Sequence, residues 1–180
     1  SRWSSKLVHG GLRYLEKARV DVAWESSVER RHLLRPIAPH LVHPYPFLVP
    51  LGAGTPPVLG LATELGTRAG DLMRAAAGTR RSALPPTRRL AVAEALVEAP
   101  GLRREGLRGA LTYWDCRLED DARLVIAVAR TAAALGAHVV TGVAAGDLTQ
   151  DRLTLTDLDS GRSFEARGQV VNATGVWVGE

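Results

Sequence analysis

The chain has 180 residues, of which 46% are hydrophobic and 23% are charged, and its formal net charge is +4. This composition is ordinary for a globular protein, and the length suits one domain or part of a larger one. The basic residues are scattered among acidic ones, which argues against a nucleic-acid-binding surface. A single cysteine, Cys116, excludes an internal disulfide and a metal site built on paired thiolates. With no leader sequence and no apolar run of about 20 residues, we expect a cytoplasmic protein.

The first distinctive stretch covers residues 4–16 and reads Ser-Ser-Lys-Leu-Val-His-Gly-Gly-Leu-Arg-Tyr-Leu-Glu. Gly10 and Gly11 have no Cβ, so the backbone can approach a flat or charged ligand closely. Apolar residues repeat at helical spacing after them, which predicts that the glycines open a helix whose free N–H groups favour an anion. Three neighbouring side chains supply a titratable group, a permanent cation and a hydroxyl: His9, Arg13 and Tyr14. This set suits the binding of a small acidic molecule against a cofactor, and a plain Gly-Gly loop is the alternative.

The next part of the chain predicts a long helix and an edge strand. Asp21 is expected to cap a helix from Val22 to about Ala38, with Arg30 on its solvated side. Leu41 to Leu51 contains three prolines, and because proline cannot donate to a ladder, the segment predicts an edge strand or an extended connector rather than a central strand. Three further elements are predicted downstream: a glycine-interrupted helix over 57–77, a short helix capped by Thr87 and ending near Val97, and a strand over 107–118.

The last third of the chain predicts a parallel crossover. Glu119, Asp120 and Asp121 are expected to start a helix, where carboxylates favour the macrodipole, and metal binding is the alternative. Gly136 is expected to end this helix. A buried strand over 137–141 would follow, and a strand, helix and strand of this length predict a right-handed crossover with parallel pairing. Two more features are predicted: a hairpin over 152–167, and a buried strand over 169–175 that ends in small residues near a cofactor.

Four blocks of the sequence occur in the order found in a known enzyme family: residues 4–16, 38–44, 113–124 and 170–177. Through them the chain resembles FAD-dependent glycerol-3-phosphate dehydrogenase, a quinone-linked family of the D-amino-acid-oxidase-like flavin oxidoreductase superfamily. The most specific motif is His-Gly-Gly-Leu-Arg-Tyr at residues 9–14, whereas the block at 170–177 is shared widely among flavin oxidoreductases. The blocks cover nearly all of this chain but only the middle of a full-length enzyme, so we expect an internal fragment.

The resemblance implies an enzyme that oxidises sn-glycerol 3-phosphate to dihydroxyacetone phosphate by hydride transfer to FAD. The electrons would then pass to a membrane quinone, with the full-length enzyme at the inner face of the cell membrane through parts absent here. Three residues would face the substrate, His9 as a candidate base, Arg13 as a phosphate-binding cation, and Tyr14. The residues implied to contact the flavin and its nucleotide are Ser4, Ser5, Lys6, Leu7, His9, Gly10, Gly11, Ala145, Ala173, Thr174 and Gly175. No metal is implied, and the oligomeric state stays open.

The implied fold class is α/β, an incomplete FAD-binding Rossmann-like domain of the glutathione-reductase type. It would lack the first βαβ glycine-rich unit and the substrate-domain sheet, because no G-x-G-x-x-G turn occurs in the sequence. Within one domain over 1–180, residues 1–50 would carry the flavin- and substrate-contacting motif and a helix, residues 52–106 a helical insertion, and residues 107–180 the crossover helix, parallel strands and hairpin. Catalysis is not expected from these residues alone. The alternatives are another FAD-dependent oxidoreductase of the superfamily, a catalytically inactive truncated remnant, and a subunit completed by separately encoded halves.

Overall fold

The computed structural model describes residues 4–52, 54–149 and 151–177, apart from the side chains of Arg13, Glu16 and Leu148. The chain divides into two compact units, Ser1–Ala127 and Val128–Glu180. The first unit contains a four-stranded sheet, and the second contains a three-stranded sheet. No helix in the described part of the chain is long and apolar enough to span a bilayer.

The first sheet is built around one long strand. β4 (Gly109–Leu118) lies in the middle, with β2 (Val42–Leu51) along one side and β1 (Leu7–Val8) and β3 (Arg88–Leu90) along the other. All of these pairs are antiparallel, and β2 pairs with β4 along its whole length. The predicted edge strand is therefore confirmed. The three prolines of β2 are Pro44, Pro46 and Pro50, which are separated by even numbers of residues. Backbone N–H groups at such positions point to the same side of the strand, so the N–H groups that the prolines lack all fall on the side away from β4.

Five helices occur among the described residues. They are α1 (Leu12–Glu16), α2 (Val20–His32), α3 (Pro57–Ala76), α4 (Val92–Glu98) and α5 (Asp121–Ala134), and a π-helical turn over Leu33–Ile37 extends α2. The main apolar core joins the end of α2 to β2 and β4 through Leu34, Ala38, Leu41, Val42, Ala83, Leu84, Cys116 and Leu118. A smaller cluster of Leu90, Ala95 and Ala110 joins β3, α4 and β4. Burial of this apolar surface is the main stabilising contribution to the first unit.

Helix α3 is amphipathic, and its polar side faces the protein. Thr67 and Arg74 are buried there, and Arg74 Nη1 donates to the Thr79 carbonyl at 2.7 Å. A Cβ added to Gly70 would lie 3.2 Å from Leu12 Cδ1, so this glycine permits the contact with α1. The predicted helix is confirmed, and it runs without interruption. The opposite side exposes more than half of five apolar side chains: Val58, Leu59, Leu61, Leu65 and Leu72.

The second unit is an antiparallel sheet in the order β5 (Val143–Leu148), β6 (Arg152–Asp157) and β7 (Ser163–Arg167). The Asp157 carboxylate accepts the N–H groups of Asp159 and Ser160 at 3.0 and 2.7 Å, and these bonds close the turn between β6 and β7. The bonds from Ser160 also lower the pKa of Asp157. The hairpin predicted over 152–167 is confirmed, and β5 is an additional strand that the sequence pattern did not predict.

Two predicted helix starts are wrong. Helix α2 begins at Val20 with Arg19 as its N-cap, and Asp21 lies inside the first turn, where it pairs with Arg19 at 3.0 Å. Arg30, predicted on the solvated side of this helix, is buried. Thr87 caps no helix, because the next three residues form β3 and α4 begins after Ala91. At Thr87 the long-range pairing of β3 with β4 overrides the local capping preference.

The predicted parallel crossover is also wrong within the described residues. Residues 137–141 and 169–174 form no strand, and every described strand pair is antiparallel. An extended segment becomes a strand only when a neighbour completes its hydrogen-bond ladder, and no described segment does so here. The helix predicted before residues 137–141 is confirmed, since α5 begins at Asp121 and is followed by Gly136 with a φ of +97°. At the coarser level, the expected α/β composition is confirmed.

Candidate functional site

The backbone between β1 and α1 is held by buried side chains from two other elements. The Gly10 N–H donates to both carboxylate oxygens of Asp115 in β4, each at 3.1 Å. The Ser27 hydroxyl in α2 donates to the Gly10 carbonyl, also at 3.1 Å. Side chains therefore satisfy both polar backbone atoms of this glycine.

Asp115 also forms a buried ion pair with α2. Arg30 Nη1 lies 2.6 Å from Asp115 Oδ1, and the two side chains are only 6% and 8% exposed. The Cys116 N–H donates to the same oxygen at 3.1 Å. Charge-assisted bonds are stronger than neutral ones, so this carboxylate firmly joins α2, β4 and the glycine segment.

The close approach of α2 explains both glycines. A Cβ on Gly10 would overlap the Arg30 guanidinium, with Nη2 only 2.7 Å away. Gly11 has a φ of +79°, and a Cβ there would lie 2.9 Å from the Ala23 Cα. The prediction that the glycines open a helix is confirmed, because Gly11 is the N-cap of α1. The prediction of a free N–H for an anion is wrong at Gly10, because the Asp115 carboxylate already accepts that bond.

An open cavity of about 350 Å³ lies beside this segment, lined by Ser5, Leu7, His9, Leu12, Phe47, Tyr113 and Asp115. Phe47 and Tyr113 are opposite each other in the pairing of β2 with β4. Their rings stack with centroids 5.1 Å apart and an interplanar angle of 13°. The wall thus combines flat apolar surface with an imidazole, a hydroxyl and a carboxylate. Such a wall suits a planar ligand that carries a few polar atoms.

The predicted cofactor contacts near the start of the chain divide between two places. Ser5, Leu7 and His9 line the cavity. Lys6 instead reaches α5, where its Nζ lies 2.8 Å from Asp121 Oδ1, and its N–H donates to Ser4 Oγ at 3.0 Å. The hydrogen bond from Lys6 lowers the pKa of Asp121, and the same bond raises the pKa of Lys6.

Of the three predicted substrate contacts, only His9 is among the residues that line the cavity. Tyr14 lies on α1 and is 38% exposed. The backbone of Arg13 belongs to the same helix, and its side chain lies outside the described part of the structure.

The four predicted nucleotide contacts belong to the second unit. Ala145 lies in β5 and Ala173 in an irregular segment, and both are exposed. Thr174 donates its N–H and its hydroxyl to Asn172 Oδ1, at 3.1 and 2.8 Å. Gly175, with a φ of +66°, begins a single 3₁₀ turn. These residues offer small side chains and accessible backbone within their own unit.

Several residues at the site were not predicted as functional: Ser27, Arg30, Phe47, Tyr113 and Asp115. A signal for two of them is present in the sequence, because Ala23, Ser27 and Arg30 share one helix face. Small residues on the same face as an arginine let a neighbouring segment approach closely, but they do not identify the partner that balances the charge. Phe47 and Tyr113 meet only through strand register, which local sequence does not reveal.

The single cysteine lies in the core beside this site. Cys116 is fully buried, and burial raises the pKa of its thiol to about 12. A protonated, inaccessible thiol is a poor nucleophile, so Cys116 is a packing residue. In the described ranges, no three His, Cys, Asp or Glu side chains are grouped in a way that could hold a metal ion.

Several curated proteins of similar sequence are glycerol-3-phosphate dehydrogenases. Glycerol-3-phosphate dehydrogenase 1 of Mycobacterium tuberculosis is 48% identical over 181 residues, which is 100% of this chain and 35% of that protein. Aerobic glycerol-3-phosphate dehydrogenase of Staphylococcus epidermidis is 33% identical over 185 residues, which is 98% of this chain and 32% of that protein. The chain therefore spans about a third of the length of these curated relatives.

The fold is similar to that of a solved structure as well. The crystal structure of the glycerol-3-phosphate dehydrogenase from Bacillus halodurans, complexed with FAD, aligns with a TM-score of 0.53 at 20% identity. The alignment covers 92% of this chain and 24% of that one. A family model described as FAD dependent oxidoreductase, DAO, matches residues 1–180. The resemblance found in the sequence is thus confirmed, and the chain belongs to the DAO family of FAD-dependent oxidoreductases.

Proposed function

We propose that this chain is part of an FAD-dependent enzyme that oxidises sn-glycerol 3-phosphate to dihydroxyacetone phosphate. The observation that carries the proposal is the cavity beside residues 5–12. Its wall contains the imidazole of His9, which belongs to the family's most specific motif, and the stacked rings of Phe47 and Tyr113. Identity of 48% to a glycerol-3-phosphate dehydrogenase over the whole chain supports the choice of substrate. Residues 1–180 would form part of one FAD-binding domain.

The residues at the cavity fit the ring portion of FAD. Phe47, Tyr113 and Leu7 supply flat apolar surface, and Ser5 and His9 supply groups that can exchange hydrogen bonds with ring nitrogen and carbonyl atoms. In the second unit, the small residues Ala145, Ala173, Thr174 and Gly175 would serve the nucleotide portion. When bound, FAD supplies a two-electron acceptor for a hydride from a carbinol carbon.

The residues of this chain have separate roles in the proposal. His9 would remove the hydroxyl proton of the substrate, because its titratable side chain lines the cavity and is exposed. Arg13 would bind the phosphate through its planar set of donors, and Tyr14 would bind a substrate oxygen. Ser4 and Lys6 would act indirectly, since their bond to each other and the bond from Lys6 to Asp121 fix the segment that carries Ser5 and Leu7.

The electron acceptor and location follow from the same family argument. We propose that a membrane quinone accepts the electrons and that the complete enzyme works at the inner face of the cell membrane. Parts of the enzyme beyond these residues would provide that membrane contact.

The first test is uptake of FAD by the purified complete enzyme that contains these residues, followed by anaerobic addition of glycerol 3-phosphate. We expect a flavin absorbance spectrum that bleaches with glycerol 3-phosphate and not with glycerol, and reoxidation by a soluble quinone but not by NAD. His9→Gln should slow bleaching about 10²- to 10⁴-fold with FAD still bound. The exposed His40, replaced by Gln, is the matched control and should leave the rate unchanged. A colourless protein, or bleaching by a different hydroxy acid alone, would refute the proposed function.

A further inference from the structure

We propose that the buried Arg30–Asp115 pair is a positioning device that holds the Gly10 peptide, and with it His9, at the wall of the cavity. The inference rests on the proposed function only for its consequence on FAD binding. Its structural part concerns the described residues alone and can be tested without any cofactor.

Stability does not explain the pair. Both side chains are removed from water, so each ion loses its hydration, and the attraction at 2.6 Å has to offset that loss. Well-packed apolar residues at two such positions are often as stable as the ion pair or more stable. An ion pair at this place in β4 therefore needs another role, and its remaining hydrogen bonds identify one.

Those bonds converge on a single peptide unit. Asp115 accepts the Gly10 N–H with both oxygens, and Arg30 donates to one of these oxygens. Ser27, one helical turn before Arg30, donates to the Gly10 carbonyl. Rotation of the Gly10 backbone would break bonds at both its ends, so α2 and β4 together fix its orientation.

The guanidinium also fills the space where a side chain of Gly10 would stand. A Cβ at this position would overlap Arg30, so glycine lets the charged group lie directly against the backbone. The peptide that bears the Gly10 N–H is the one that joins His9 to Gly10. Because the imidazole of His9 is exposed, its place at the cavity wall is set by the backbone that carries it.

Hydrogen exchange of the Gly10 amide is the direct test. The double variant Arg30→Met with Asp115→Leu removes both charges together and leaves no unpaired ion in the core. We expect the Gly10 amide to exchange at least about tenfold faster, while the Leu111 amide in β4 keeps its rate and the protein keeps its fold. An unchanged Gly10 rate would overturn the proposal. Equal acceleration at Leu111 would also overturn it, because the pair would then be a general stabilising element.

Ser27→Ala is a second, uncharged test with a matched control. Ser26→Ala changes the neighbouring serine of α2, for which no bond to Gly10 is found among the described residues. We expect Ser27→Ala to speed exchange at Gly10 and to weaken FAD binding about tenfold, with Ser26→Ala unchanged within about twofold. If both variants bind FAD equally and protect Gly10 equally, the positioning role is refuted. If the complete enzyme without substitutions takes up no FAD, the proposed function fails, and the exchange rates still decide the positioning role.

Discussion

Replacement of Gly10 by alanine examines the packing of α2 against the family motif most directly. The backbone of Gly10 is in an ordinary conformation for an L-residue, so a methyl group meets an obstacle only in space. That obstacle is the Arg30 guanidinium, whose Nη2 would lie 2.7 Å from the new Cβ. An arginine tip can usually move aside, but this one is buried and paired with Asp115 at 2.6 Å.

The expected cost follows from separating that ion pair. Breaking a buried pair costs about 3–5 kcal/mol, because an uncompensated charge stays in the interior. Alanine in place of glycine recovers about 0.4–1 kcal/mol by restricting the unfolded chain. We therefore expect Gly10→Ala to lower the free energy of unfolding by about 3 kcal/mol, which corresponds to a melting temperature about 6–12 °C lower.

Urea denaturation, followed by tryptophan fluorescence, measures this difference. The matched control is Gly66→Ala in α3, where a Cβ meets nothing within 4 Å. The control should raise the free energy of unfolding by about 0.5–1 kcal/mol, because alanine is a better helix former. A loss of less than about 1 kcal/mol in Gly10→Ala would refute the reasoning, since Arg30 would then have moved without breaking its pair.

A double-mutant comparison separates the steric and ionic parts of this cost. In the background Arg30→Met with Asp115→Leu, no charge is left to be stranded. We expect the cost of Gly10→Ala to fall by at least about 2 kcal/mol there, because residues in one network are not additive. Equal costs in the two backgrounds would mean that the ion pair is not what opposes the methyl group.

Three further predictions concern the same unit. Gly11→Ala should destabilise the protein by about 1–3 kcal/mol in urea denaturation, because its φ is +79° and the Ala23 Cα lies 2.9 Å from the added Cβ; a neutral effect would contradict this. Because the pKa of Cys116 is raised to about 12 from 9.0, the unfolded state releases this proton first as the pH rises. The free energy of unfolding should then fall by about 1.4 kcal/mol per pH unit more steeply between pH 9 and pH 12 than in Cys116→Ala, and parallel curves would refute the assignment. The bond from Lys6 lowers the pKa of Asp121, so this bond stabilises the fold at a pH above the ordinary carboxyl pKa and is lost as the pH falls. The free energies of unfolding of the unmodified protein and of Lys6→Met should therefore converge in acid. A stability difference that persists in acid would show that Lys6 acts through packing instead.

Local patterns predicted those elements whose stability is decided by neighbours in the chain. The prolines between Leu41 and Leu51 are separated by even numbers of residues, so one side of the strand lacks N–H donors and cannot pair with another strand. In the structure β2 accordingly lies at an edge of the sheet. The carboxylates before α5 and the glycine after it mark a helix that the structure contains. Two segments show what local patterns cannot predict. Arg88 to Leu90 form a strand because β4 pairs with them, whereas residues 137–141 form none because no described segment pairs with them.

The sequence by itself determined the family, through motifs whose spacing does not depend on packing, and it placed His9 and the two glycines at the start of a helix. Only the tertiary structure shows why positions 10 and 11 must be glycine, because α2 packs against them too closely for a Cβ. Long-range contacts bring Arg30 and Asp115 together across 85 positions of the chain and aim the Gly10 N–H at a carboxylate rather than at a ligand. A charge on a helix face looks solvated until the partner that balances it is known. That balance between lost hydration and a close opposite charge exists only in the folded chain.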